Sequence, residues 1–232
     1  MGEFYRVPAT FPRSMKNKMR AVFFLLACGL ALAAPAALAE MWRNHFDADA
    51  ISRSPAFFDF QVLGAPGTAR WMVLNDVNPP SAPNQLTQVV ANRPDGSIGA
   101  ALRRTVAMAD GKLSVALKKV PAREGLVFRM TDEKNFLVLL LDGKSGETRL
   151  IAYRNGMPTE LARGEAAIDR EWGVLVVSLA GPAISASWNE KELLRVTDAH
   201  PASGRVGLAT AGPGRASFDE FVIDTGDEAR KP

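Results

Sequence analysis

From Gly111 to Asp224 the chain is a train of short apolar segments broken by turn residues, and no other feature constrains its fold as tightly. The segments are Lys112–Lys118, Leu126–Met130, Phe136–Leu141, Arg149–Arg154, Val174–Leu179, Ala183–Trp188, Glu192–Val196, Val206–Thr210 and Ser217–Asp224. Between them fall Gly125, Asp142-Gly143-Lys144-Ser145-Gly146, Asn155-Gly156, Gly181-Pro182, Asn189-Glu190-Lys191 and Gly212-Pro213-Gly214. Strands at this spacing, joined by such turn chemistry, predict an all-β sandwich of antiparallel sheets.

The N-terminus predicts the compartment. Lys16, Lys18 and Arg20 precede an apolar run, Ala21–Ala39, that closes with Ala37-Leu38-Ala39 before the charged Glu40. A basic segment, an apolar core and a small-x-small site predict a secretory signal peptide cleaved after Ala39, hence an exported protein, periplasmic or secreted. A retained anchor is the main rival, because the run is long enough to span a bilayer. Pro35, the many alanines and the lack of basic residues just after the run oppose it. Lipidation at Cys28, from the lipobox-like Leu25-Leu26-Ala27-Cys28, would leave only Ala21–Ala27 as apolar core, at the bottom of the usual length range. Met15 is a second candidate start, which would make Met1–Ser14 an upstream extension.

Removing residues 1–39 changes the charge. They carry Arg6, Arg13, Lys16, Lys18 and Arg20 against Glu3 alone, so the pI of about 9.2 belongs to the precursor. The remaining chain has 23 basic and 24 acidic residues, a net of −1. With no clustered basic surplus, nucleic-acid binding loses its electrostatic basis. The single cysteine, Cys28, leaves with the leader, so an exported domain that could form disulfides has none to form. Residues 40–224 are long enough for one self-sufficient core. Thr225–Pro232 is a charged, apolar-poor tail expected to fray.

Upstream of the strand train, Phe57–Leu63, Trp71–Leu74, Leu86–Val90 and Ala100–Arg103 read as further strands. Met41–Ala56 is loosely patterned, and the three prolines of Asn78–Asn84 exclude a regular element there. Glu160–Glu171 lacks an apolar stripe and contains Gly164, so no helix is available for βαβ crossovers and parallel α/β folds are excluded. Ile184, Ala186 and Trp188 alternate with Ser185 and Ser187, as expected of a half-buried strand. Phe136–Leu141 and Val174–Val177 are apolar on both faces, which predicts central strands covered on both sides.

The segment Gly125–Phe136 (Gly-Leu-Val-Phe-Arg-Met-Thr-Asp-Glu-Lys-Asn-Phe) resembles a signature of laminin-G-like, concanavalin A-like jelly-roll domains of bacterial exported proteins. Arg149-Leu150-Ile151-Ala152-Tyr153 with Asn155-Gly156 is similar to their hairpin. Trp172, Gly204-Arg205-Val206-Gly207-Leu208 and Phe218-Asp219-Glu220-Phe221 resemble their closing elements. Trp71, Asp76 and Pro83–Gln88 resemble an upstream segment, and Phe46-Asp47 the first strand. The likeness covers almost all of Trp42–Asp224 and implies a two-sheet antiparallel jelly-roll sandwich. Relatives include family 16 glycoside hydrolases, lectins and 3-keto-disaccharide hydrolase-type domains, so contact with carbohydrate is implied by analogy. The resemblance also implies a structural calcium joining first and last strands, which maps onto Asp47 and Asp219. Calcium takes 6–8 oxygens. The alternative is that Asp219 accepts backbone N–H bonds while Asp47 is solvated.

A catalytic site does not emerge from the residues. Retaining glycoside hydrolysis needs two carboxyls ~5–5.5 Å apart, and the family 16 Glu-x-Asp-x-x-Glu triplet is missing. Asp132/Glu133, Glu160/Glu165, Asp169/Glu171 and Glu190/Glu192 fall in turns or strand ends, as solvated carboxylates do. His45 and His200 are the only imidazoles, and no Gly-x-Ser-x-Gly or His-Glu-x-x-His occurs. Of the aromatics, Trp188 and Trp172 read as core, while Trp71 and Tyr153 stay open. Arg129 has apolar neighbours along its strand and needs a carboxylate partner or an open groove.

The reading is an exported, non-catalytic glycan-binding or cell-envelope accessory module, with Arg129, Asn135, Tyr153, Asn84 and Gln88 proposed along the groove. No nucleic acid and no stable membrane span after cleavage are expected. A degenerate glycoside hydrolase and a protein-interaction sandwich are the alternatives.

Overall fold

In the computed structural model, residues 41–90, 94–200 and 203–226 are described. The leader, and the tail beyond Gly226, lie outside them, so the processing expectations at Cys28 and Ala39 do too. Fifteen strands follow one another: β1 Met41–Asn44, β2 Phe58–Gly64, β3 Trp71–Asn75, β4 Asn84–Gln88, β5 Ser97–Met108, β6 Gly111–Lys118, β7 Arg123–Asp132, β8 Asn135–Asp142, β9 Glu147–Arg154, β10 Met157–Glu165, β11 Trp172–Ala180, β12 Ala183–Trp188, β13 Lys191–Thr197, β14 Gly204–Ala211 and β15 Ala216–Asp224. All pairings are antiparallel.

The strands form two sheets. The first runs β13-β12-β11-β6-β15-β4-β3, with β1 also paired to β15; the second runs β10-β9-β8-β7-β14-β5-β2. Neighbours that are distant in sequence, such as β6 beside β15 or β14 beside β7, give the jelly-roll connectivity. This is the all-β, concanavalin A-like sandwich. Its inter-sheet core takes Leu113, Val115, Leu117, Leu175, Val177 and Phe218 from the first sheet and Leu126, Phe128, Leu137, Leu139 and Leu208 from the second. Trp71 and Trp188 are core residues. Among the described residues no helix is long and apolar enough to cross a membrane.

Two local expectations are corrected, and one strand, β10, goes unread in the sequence. The first strand is Met41–Asn44, and Phe46-Asp47 lies in the turn after it, where Phe46 has a φ of 64°. The β10 strand carries Pro158 and is mostly exposed along its length, so as an edge strand it shows no alternation to read. Two-sided burial holds for β8 but fails for β11, where Val174 is 43% exposed.

The second face of β8 is explained by a separate apolar cluster on the outer side of the second sheet. Ile98, Ala100, Leu102, Val127, Phe136, Val138, Leu140, Tyr153 and Ala209 gather there. Along each strand they alternate with residues of the inter-sheet core.

Candidate functional site

Three consecutive strand pairings of the second sheet lose register at one level. Both β14–β5 and β14–β7 shift between Arg205 and Gly207, and β7–β8 shifts between Phe128 and Asp132. Thr105 and Arg129 adopt left-handed φ values of 60° and 51° at this level, which is uncommon for non-glycine residues and rarer still for a β-branched one. A Cβ on Gly207 would stand 2.2 Å from the Ala101 carbonyl oxygen, so the close approach there requires glycine. The result is a transverse crease. Bulges of this kind re-aim side chains and cluster at functional sites.

The crease opens onto a cavity of about 490 Å³ lined by Gln61, Met130, Thr131, Asp132, Glu133, Lys134 and Arg205. These come from β2, β14, β7 and the β7–β8 turn. Asp59, beside Gln61 on β2, accepts from Arg104 Nε at 2.7 Å and Arg205 Nη2 at 2.6 Å. The Arg104 bond, with Arg205 adding to it, holds the Asp59 carboxyl below the usual carboxylate range. The Asp132 carboxylate is fixed by Asn135 Nδ2, 2.9 Å from each oxygen, and by the Lys134 amide at 2.8 Å. Those bonds, the Asn135 side chain first, lower its pKa. The Gln61 side-chain oxygen is buried with no hydrogen-bond partner among the described residues. The cavity thus offers a fixed ionised acceptor, an anchored guanidinium and an apolar Met130 surface, while the Gln61 oxygen stays buried behind its wall.

The five groove candidates read from sequence are not brought together. Arg129 is corrected outright: its side chain is 1% exposed, caged by Asp198 at 3.6 Å and Asp110 at 3.8 Å. Its Nη2 also donates to the carbonyls of Gly181 at 2.5 Å and Ala109 at 3.2 Å. Burial lowers its pKa, against the pull of Asp198 and Asp110. A carboxylate cage, not a groove, is its environment. Asn84 and Gln88 lie on β4 of the other sheet, both buried. Tyr153 does share the outer face of the second sheet, stacked on Phe136 with centroids 4.4 Å apart at 12°, and is buried there. Asn135 stands beside the cavity as a positioning residue: besides holding Asp132, its Oδ1 accepts from the Asn155 amide at 2.9 Å, tying two turns together.

Gln61, Lys134 and Arg205 were missed. Arg205 sits within the Gly-Arg-Val-Gly-Leu segment, where the two glycines were the available signal of a close backbone approach. Asp132 and Glu133 do lie at a turn, as read, but that turn forms a wall of the cavity.

At the rim of the first sheet, Asp47 and Asp219 converge on Ser81. The Ser81 amide donates to Asp219 Oδ2 at 2.7 Å, and the Ser81 hydroxyl donates to Asp47 Oδ2. Asp219 Oδ1 accepts from the Glu220 amide at 2.7 Å, and Asp47 Oδ1 from the Asn84 amide at 3.0 Å. Asn84 Nδ2 donates to the carbonyls of Phe46 and Asp47, both at 3.2 Å. Burial pushes the Asp219 carboxyl up to about 6, and the charges of Glu220 and Asp47 add to that while the two amides oppose it. Two carboxylates, a hydroxyl and converging carbonyls are an oxygen-only set of the kind a hard cation takes. No group of three or more His, Cys, Asp or Glu suited to a metal occurs among the described residues.

No protein-family model and no curated protein sequence matches the chain. Solved structures do share its backbone. A protein of unknown function with a galectin-like fold from Bacillus subtilis is 14% identical with a TM-score of 0.52, over 78% of this chain and 94% of that one. A GlcNAcα1-4Gal-releasing endo-β-galactosidase from Clostridium perfringens is 10% identical with a TM-score of 0.52, over 81% and 62%. The carbohydrate-binding module CBM66 from Bacillus subtilis is 16% identical with a TM-score of 0.47, over 71% and 94%. At such identities the likeness is one of fold.

Proposed function

We propose that the protein is an exported, non-catalytic glycan-binding module whose ligand site is the crease on the outer face of the second sheet. The observation that carries this reading is the cavity itself, where the fixed Asp132 carboxylate and Arg205 stand beside the apolar Met130. Sugars present vicinal hydroxyls beside apolar C–H faces, and such a constellation can engage both. The endo-β-galactosidase of similar backbone, whose name refers to a glycan, supports this reading. The lowered pKa of Asp132 suits an ionised hydrogen-bond acceptor for sugar hydroxyls.

A glycan array probed with the mature chain (Glu40–Pro232), followed by calorimetry on the best ligand, tests this. Binding that Arg205→Ala and Asp132→Asn each weaken at least about tenfold, with no reducing-end release, is the expected result. Release of reducing ends would favour the hydrolase alternative, and silence across the array would favour a protein partner.

Calcium belongs to the same proposal. Asp47, Asp219 and Ser81 would hold it, and the ion would supply the positive charge that two adjoining carboxylates lack. Its role would be structural, pinning the turn after β1 to β15 in a domain without disulfides.

A further inference from the structure

Among the described residues, Glu124 is an acid whose surroundings the site does not explain. It stands on β7 between Leu126 and the strand's first residue, on the face turned toward the inter-sheet core. It is fully buried, at 0% exposure, and neither carboxyl oxygen has a hydrogen-bond partner. Its cross-strand neighbours are Thr210 on β14 and Leu141 on β8, neither of which carries charge. From the first sheet the Ser217 amide on β15 faces it, outside hydrogen-bond geometry. The adjacent Arg123 belongs to the opposite face, is half-exposed and lies 3.8 Å from Asp142. No cation therefore faces Glu124 from β8, β14 or β15.

An ionised carboxylate with no cation, and with only the Ser217 amide turned toward it, cannot be held in such a place, and the group takes a proton instead. We propose that Glu124 is a built-in pH switch of the sandwich: neutral and accommodated between the sheets at low and neutral pH, charged and disruptive to their packing as the medium turns alkaline. The buried geometry agrees with its titration, since burial raises its pKa well above the ordinary 4.5.

The sign follows from proton counting. Between the unfolded pKa and the raised folded one, the native state holds a proton that the unfolded chain has lost. Stability is then fully present below about pH 4.5 and declines as pH rises through the folded value. Asp219 contributes in the same direction but has finished titrating above its value of about 6. The part of the slope above pH 7 that the Glu124 variants remove is the part that belongs to Glu124.

The test is thermal melting of the mature chain from pH 5 to 9.5, beside Glu124→Gln and Glu124→Leu. The wild type should lose about 3 °C per pH unit as the pH rises above 7, a slope that the Glu124 variants lack. Glu124→Gln, uncharged at every pH, should flatten that slope and melt higher than wild type at pH 9. Glu124→Leu guards against a Gln that packs poorly, because it too removes the slope whatever its absolute melting temperature. A flat wild-type profile above pH 7, or a slope that survives in both variants, overturns the proposal.

Discussion

Glu124 and Arg129 stand on one strand, both shut away from water, and the fold treats them in opposite ways. Arg129 is met by the β5–β6 turn through Ala109 and Asp110, by the β11–β12 turn through Gly181, and by Asp198 after β13. Arg154 and the His200 amide hold Asp198 in turn. Glu124 meets only uncharged neighbours. The difference teaches that burial alone does not fix a charge state. Arg129 stays charged because three separate connections deliver oxygens to it, whereas the acid without such delivery keeps its proton.

The largest break in this comparison is Arg129→Met. Removing the buried guanidinium leaves Asp198 with Arg154 as its remaining cation and strips the Gly181 and Ala109 carbonyls of their donor, and the expected loss is about 3 kcal/mol in urea unfolding. Arg129→Lys should recover only part of it, since an ammonium cannot reach the several acceptors that the planar guanidinium spans. A loss below about 1 kcal/mol would mean that the cage is ornamental.

Asp219 is the intermediate case: buried and served by two amides, yet facing Asp47 and Glu220. If calcium supplies the missing charge, millimolar Ca²⁺ against EGTA should raise the melting temperature by about 5–10 °C when the ion stands ~100-fold above its Kd. Asp219→Asn should remove the shift. No shift, or one that persists in the variant, leaves the amides as the whole explanation.

The smallest effect on folding and the sharpest on binding belong to Asp132, an exposed counterpart of these buried charges. Asp132→Asn should leave the melting temperature within about 1 °C while weakening ligand at least about tenfold, because a hydrogen bond to a charged acceptor is lost. Asn135→Ala should weaken the same ligand less, by freeing a carboxylate that is still present. Equal losses in both would show that Asn135 touches the ligand itself.

Much of the architecture was legible without coordinates. Period-two alternation in Ala183–Trp188 and the turn residues between strands dictate antiparallel pairing because a strand's side chains must alternate between core and solvent. Where that contrast vanishes the reading fails, as in β10, an exposed edge without an apolar face, and in Met41–Asn44, too short to show a period. The candidate site was legible only in fragments. Asn135 and Tyr153 fall near the right face, but Asn84 and Gln88 belong to the other sheet.

The sequence by itself determined the strands, their faces, the lack of a disulfide and the want of a family 16 catalytic triplet, all of which are local or compositional properties. Tertiary structure alone decided that Arg129 is caged, that Glu124 is not, and that Gln61, Asp132 and Arg205 line one cavity. The physical reason is that partners are set by strand order and register. A bulge shared by β5, β14 and β7 rotates side chains drawn from residues more than a hundred positions apart into one cavity, and no period in the chain encodes that coincidence.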